Sequence, residues 1–401
     1  MQTTVEIPLL QDHHSHPLFY SAFGQSVSLE SAASKPEALQ RLESAWEHPA
    51  ANGPGITIAH GWRSNHFQWT AEEIEKWPPT AIFNVSLHDL VINRGGMQAL
   101  VSRYGSISEQ LRDRIWYENN LRVVLNWFAN LNASPELLTQ FYDQMLEQGV
   151  YFLEEMLLVD ENEIELFKQA GLIDRTRFWA APDTFESLSA PAKLDVHGLK
   201  LFTDGALGAR TAALIQPYLD SNETENRGLL IHSDAELTQQ ITACLATRKS
   251  LAIHAIGDRA IEQVIKSLTA CENAIYQAPE IRIEHAQLIS RNAADRAKDL
   301  GVTLSMQPNF SHDSVDYADR MSAEYRIANN PFRMLIDEVG FVAGEDLVFG
   351  SDGMPHGMEA AITQSLSPSL SSQQLSLDEF VAGYCMEDES LGTIEIEIEV
   401  D

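Results

Sequence analysis

At 401 residues the chain can bury a large core, and 27 Lys and Arg against 58 Asp and Glu leave a net charge of -31. A surface this acidic repels nucleic-acid phosphates and anionic lipid headgroups, so neither is an expected partner. Cys244, Cys271 and Cys385 are far apart in sequence and form no Cys-x-x-Cys pair. That spacing argues against a disulfide framework or a zinc knuckle and suits a reducing cytoplasm. The N-terminus has no basic region followed by an apolar one, and no stretch has the roughly 18 apolar residues of a membrane span. A cytoplasmic, non-secreted chain is expected.

In chain order, eight strand-like runs stand out: Ile7 to Gln11, Val150 to Leu158, Arg177 to Ala181, Leu199 to Phe202, Leu251 to Ala255, Ile281 to Ala286, Val302 to Gln307 and Leu347 to Ser351. Helical patterns such as Asp258 to Thr269 and Asn292 to Leu300 separate them. Strands alternating with helices predict parallel βα units, and eight units predict a closed TIM (β/α)8 barrel. The barrel is expected to occupy residues 1-19 and 149-390.

The span 20-148 breaks this rhythm. It holds two strand-like runs, Ile56 to His60 and Ala81 to Leu87, and the tryptophans Trp46, Trp62, Trp69, Trp77, Trp116 and Trp127. It reads as an insertion after the first strand, forming a lid or pocket wall, or else using its tryptophans to fill a small core of its own. At the ends, Val5-Glu6-Ile7 and Ile394 to Val400 alternate apolar and acidic residues with period two, the pattern of half-buried strands that pair with each other or fray. Residues 391-401 are thus read as a residual C-terminal strand.

Metal-seeking side chains recur where these runs end. His14 and His16 are two residues apart and can face the same way on a strand, so two imidazoles can share one ion. His254 and His285 add nitrogens suited to zinc or a similar borderline ion, and Asp352 adds a carboxylate after the last run. Lys200 is the unusual member, because a protonated lysine repels a cation. Carbamylation by carbon dioxide would reverse its charge and let it bridge two ions, whose joint field lowers the pKa of bound water toward about 7; the alternative is a lysine paired with Asp204. Asp352 is also placed to take a proton from the attacking water and return it to the leaving group.

Gly198-Leu199-Lys200-Leu201-Phe202-Thr203-Asp204-Gly205-Ala206-Leu207-Gly208-Ala209-Arg210, His254-Ala255-Ile256-Gly257-Asp258-Arg259, Arg282-Ile283-Glu284-His285-Ala286-Gln287, Ser305-Met306-Gln307-Pro308 and Phe349-Gly350-Ser351-Asp352 together resemble motifs of the amidohydrolase superfamily, specifically its YtcJ-like branch, the amidohydrolase 3 group. The resemblance implies a metal-dependent hydrolase of a carbon-nitrogen bond, of amide or N-acyl type and other than a peptide bond. It implies His14, His16, Lys200, His254, His285 and Asp352 as metal ligands, with Asp352 and His285 at the chemistry. The ion implied is divalent, zinc before others, in one or two copies. His88, Asp204, Arg210, Asp258 and Arg259 would lie on the substrate side or behind the ligands. A small-molecule substrate is the expected partner, and a homodimer is compatible with it.

Three departures qualify the resemblance. Members usually begin with strands of a small β-sandwich, whereas here the first barrel run starts at Ile7, so that sandwich is expected to be absent or vestigial. After Asp352 the branch continues with a small residue, proline and an aliphatic one, where this chain has Gly353-Met354-Pro355-His356. The Glu397-Ile398-Glu399 run is unfamiliar and suggests truncation or a frame change. A deaminase, an ester hydrolase, or a weakened relative that only binds ligand are the competing readings.

Overall fold

A computed structural model describes residues 2–24, 26–47, 56–62, 66–84, 89–113, 116–117, 120–219, 225–276 and 278–399. Fourteen strands are found among them: β1 (Gln2–Pro8), β2 (Leu10–Ser15), β3 (Val27–Ser28), β4 (Thr57–Trp62), β5 (Thr80–Asn84), β6 (Leu90–Ile92), β7 (Val150–Leu158), β8 (Thr176–Ala180), β9 (Val196–Phe202), β10 (Ser250–Ala255), β11 (Ile281–His285), β12 (Thr303–Met306), β13 (Leu347–Phe349) and β14 (Thr393–Glu399). The chain divides into two compact units, one of residues 1–16, 142–164 and 171–401 and the other of residues 17–141 and 165–170.

The first unit is the barrel. Its sheet runs β2-β7-β8-β9-β10-β11-β12-β13, each strand parallel to its neighbour. The seam from β13 back to β2 is drawn together by Asp12. Its Oδ1 accepts from the Ser351 amide at 2.8 Å and its Oδ2 from the Ser351 hydroxyl at 2.5 Å, while the Asp352 amide donates to the His14 carbonyl at 2.7 Å. Gly350 makes the approach feasible, since a Cβ there would lie 2.4 Å from the His14 nitrogen.

Outside the sheet, the helix Asp258–Ala270 shows why the pattern folds as it does. Ile261, Val264, Ile265 and Leu268 recur at three- and four-residue spacing and are all buried. Ser233 and Glu236 cap the helix Asp234–Ala246 reciprocally, and Ser290 caps Arg291–Asp299.

The first barrel strand begins at Leu10 and not at Ile7. Pro8, which has no N–H to donate, ends β1, and Ile7 instead pairs with Ile394 in the antiparallel β1–β14 ribbon. In that ribbon Val5 faces Ile396, and Ile7 and Ile396 are buried, so the period-two alternation does mark a one-sided apolar surface.

The second unit has its own four-stranded sheet, β3-β4-β5-β6, parallel except for β6. Two short strands, β3 and β6, add to the two runs legible in the sequence; residues 85–88 lie outside the described ones. Trp46, Trp62, Trp69 and Trp77 pack with Leu29, Leu42 and Ile82, and Trp116 and Trp127 with Phe23, Phe83 and Phe128, so all six serve this unit's own clusters.

Candidate metal centre

His14 and His16 reach the centre because β2 carries a bulge. Asp12 pairs with Leu153 and Ser15 with Glu155, so His13 and His14 together oppose the single residue Glu154. Such an extra residue re-aims side chains locally. The bulge also brings His13 inward: its Nδ1 lies 3.1 Å from Glu154 Oε1, within the buried polar network below the centre. Imidazole Nδ1 of His14 sits 2.5 Å from Glu284 Oε2 and that of His16 3.6 Å from Glu155 Oε1, which turns both Nε2 atoms toward Asp352. Asp352 Oδ1 is 3.3 Å from His16 Nε2 and 3.8 Å from His14 Nε2.

Strand alternation would send His285 to the same face as Ile283, against the outer helices. The backbone prevents this by entering the left-handed region at His285 (φ 70°) and Ala286 (φ 46°), a costly conformation for side chains with a Cβ. The imidazole thereby turns to stand 4.6 Å, centroid to centroid, from both His14 and His254. Its Nδ1–H donates to Gln307 Oε1 at 2.6 Å, leaving Nε2 as the free lone pair. Asp352 is likewise left-handed (φ 53°). Asn309 holds its loop by donating to the carbonyls of Ser351 and Met354.

His254 keeps its Nε2 on the Gly205 carbonyl (3.2 Å) and near Asp204 Oδ1 (3.4 Å), so Nδ1 is the nitrogen left for an ion. Lys200 is almost fully buried on β9, with Nζ 5.2 Å over the Phe202 ring. Below the imidazoles lies a buried ionic network. Arg282 donates to Glu284 Oε1 (2.8 Å), Glu154 Oε2 (2.9 Å), the His13 carbonyl (2.7 Å) and Ser305 Oγ (3.2 Å), and the Trp179 indole also donates to Glu154.

The electrostatics follow from burial and these neighbours. Burial, with Lys200 adding to it, pushes His14 down to about 4. Burial and the facing His14 and His254 hold His285 well below its usual range. His16 moves the other way: burial opposes it, but the neighbouring carboxylates of Asp352 and Glu155 carry it up to about 9. Burial would raise Asp352, yet the bond to His16 and the neighbouring imidazoles hold its carboxyl below the ordinary carboxylate range. The centre thus favours positive charge between Asp352 and His16 and neutral, lone-pair-bearing nitrogen at His14 and His285.

This donor set fits a divalent ion. One ligand atom from each of His14, His16 and Asp352 lies within 4.8 Å of the others. Ligand atoms of a tetrahedral zinc at about 2.1 Å lie roughly 3.4 Å apart, so sub-ångström shifts suffice. His14 and His285 already have the second ring nitrogen hydrogen-bonded, the arrangement that orients metal-ligating imidazoles.

Of the remaining residues singled out in the sequence, Asp204 binds the amides of Ala213, Ile256 and Gly257 and so braces the loop beside His254. Asp258 accepts from the Ile215 and Arg259 amides and the Tyr325 hydroxyl. Arg259 donates to the carbonyls of Arg227 and Gly228, and Arg210 Nη2 lies 3.9 Å from Asp319 Oδ2. These last three organise the described residues 205–219 and 225–231 and touch none of the clustered imidazoles in these contacts. His88 lies outside the described residues.

Sequence reasoning missed Asp12, Glu154, Arg282, Glu284 and Gln307 as parts of the centre. It also missed His356, whose Nε2 is 2.7 Å from Ser15 Oγ and which burial pushes down to about 4. The available signal was a set of charged residues inside otherwise apolar strand runs, Glu154 in β7 and Arg282 and Glu284 in β11.

Residues 146–361, more than half of the chain, match the profile of the amidohydrolase family. The chain belongs to the amidohydrolase family. Its YtcJ-like branch is shown by a Bacillus subtilis (strain 168) protein that carries the name amidohydrolase YtcJ, 35% identical over 133 residues, which are 32% of this chain and 23% of that protein. The Arabidopsis thaliana protein LONG AFTER FAR-RED 3 is 28% identical over 255 residues, 58% of this chain and 43% of its own. The chain therefore matches less than half the length of either relative.

Two solved structures share the amidohydrolase fold. An uncharacterised metal-dependent hydrolase from Pyrococcus furiosus superposes with a TM-score of 0.70 at 20% identity, over 99% of this chain and 88% of its own. Another, from Pyrococcus horikoshii OT3, gives 0.68 at 24% identity over 90% and 74%. Among the described residues, no helix is long and apolar enough to cross a membrane.

Proposed function

We propose that the chain is a metal-dependent hydrolase that cleaves a carbon-nitrogen bond of amide or N-acyl type in a small molecule. The observation that carries this reading is the convergence of His14 Nε2, His16 Nε2 and Asp352 Oδ1, with the opposite ring nitrogens turned to carboxylates. His14, His16, His254, His285 and Asp352 would hold the ion, zinc being the best match to nitrogen and carboxylate donors. When bound, the ion supplies a Lewis acid and lowers the pKa of water toward neutrality.

The chain's own residues do the rest. Asp352, ionised and adjacent to His16, takes a proton on a carboxylate oxygen from the attacking water and returns it to the leaving nitrogen. His285, fixed by Gln307, presents Nε2 toward the same space. Lys200, once carbamylated, would exchange a buried positive charge for two oxygen donors and make room for a second ion.

Four measurements test this. Elemental analysis of gently purified protein gives metal identity and number, and mass spectrometry under non-acidic conditions detects the carbamate on Lys200. A panel of acylated amines, cyclic amides and aminated heterocycles separates amide hydrolysis from deamination, which releases ammonia. Asp352→Asn should lower kcat far more than it raises KM. An unchanged kcat would remove Asp352 as the proton carrier.

A further inference from the structure

We propose that Glu284 is a positioning residue that sets the affinity of the metal centre through His14, with Arg282 and Glu154 locking it in place. The inference rests on the reading that these imidazoles hold an ion. Both oxygens of the Glu284 carboxylate are committed, Oε2 to His14 Nδ1 at 2.5 Å and Oε1 to Arg282 Nε at 2.8 Å, so the group cannot rotate away from His14. Arg282 is itself held on every side. It is fully buried, bonded to Glu154, the His13 carbonyl and Ser305, and covered by the Trp179 ring at 4.8 Å.

The lattice joins β2, β7, β8, β11 and β12, five of the eight barrel strands. Its bond to the His13 carbonyl also grips the bulge that aims His14.

His14, His285 and His16 are thereby treated differently, while His254 rests on the Gly205 carbonyl at 3.2 Å with Asp204 Oδ1 at 3.4 Å. His14 has a buried, locked carboxylate behind it. His285 has a neutral amide, Gln307, and His16 has a carboxylate at 3.6 Å, beyond hydrogen-bond length. A carboxylate behind a ligating imidazole fixes its tautomer and strengthens it as a donor, and removing such a partner costs about 10–100-fold in metal affinity. His14 is accordingly the anchoring ligand, and the sequence feature that makes it so is the i, i+2 pair Arg282 and Glu284 on one face of β11.

The test uses the full chain stripped with a chelator and titrated with Co2+, following affinity and the visible absorption bands. Glu284→Gln should weaken binding by roughly 10–100-fold and shift the bands, while Glu284→Asp, which keeps the charge, should recover part of the affinity. Should Glu284→Gln fail to fold, nitrogen-15 histidine NMR of the metal-free wild type decides: His14, assigned by the signal lost in His14→Asn, must be the Nδ1–H tautomer. Binding of Co2+ to Glu284→Gln within twofold of wild type and with unchanged bands, or an Nε2–H tautomer of His14, overturns the inference while leaving the metal centre standing. A wild type that binds no Co2+ takes down both.

Discussion

Gly350→Ala is the most direct probe of how barrel closure and the metal centre depend on each other. The added Cβ would lie 2.4 Å from the His14 nitrogen and 2.9 Å from both Asp12 Oδ1 and His14 Cβ. Normal contact begins near 3.4 Å, and the obstructing nitrogen is backbone and cannot rotate aside, so β13 and β2 must separate by about 1 Å.

The seam bonds from the Asp352 amide (2.7 Å) and the Ser351 amide (2.8 Å) would then exceed useful hydrogen-bond length. Overpacking costs about 1–3 kcal/mol and each of the two lost bonds about 1 kcal/mol, for a destabilisation of about 3–5 kcal/mol. The same shift moves Asp352 away from His14, and a misplacement of about 1 Å can cost on the order of 100-fold in activity. Urea unfolding followed by tryptophan fluorescence should show the lowered midpoint, and Co2+ titration the weakened centre. A variant with wild-type midpoint and wild-type metal affinity would refute the close seam.

Chelation should lower the melting midpoint and added Zn2+ should restore it, because an ion bound only by the folded state stabilises by mass action; scanning calorimetry with and without ion checks this. Arg259→Ala removes donors to the Arg227 and Gly228 carbonyls. It should speed protease cleavage within 205–231 while leaving Co2+ affinity within about threefold of wild type, since no clustered imidazole depends on that guanidinium. Acid stability should report on Glu154. Burial alone would raise its pKa, but Arg282, His13 and Arg177 hold it below the usual 4.5. A depressed carboxylate contributes stability that is fully present above the unfolded value and is lost as pH falls below it. The urea midpoint should therefore drop as pH falls from 5 to 3, and Glu154→Gln should flatten that slope.

The sequence carried the barrel because β9, β10, β11 and β13 each read as a short apolar run that leads to a residue that chemistry needs. It also carried the imidazoles, since His14 and His16 satisfy the period of a strand. What it hid depends on tertiary closure or on local breaks in that period. Asp12 and Ser351 are 339 positions apart, and nothing local announces that they meet. The bulge at His13 and the left-handed turn at His285 both violate strand alternation, so a strict period-two reading sends those side chains the wrong way. Arg282 and Glu284 were visible as charges in an apolar run, yet only the His285 that follows them looked functional. Pro8 was the missed stop signal between β1 and β2.

The backbone at His285 and Asp352 has a consequence for engineering. A left-handed non-glycine residue costs on the order of 1 kcal/mol, and glycine at φ 70° or 53° would remove that cost. Glycine at His285 would also empty a buried site, and glycine at either position would delete a side chain proposed to hold the stabilising ion, so relief of backbone strain is no route to a more heat-resistant variant.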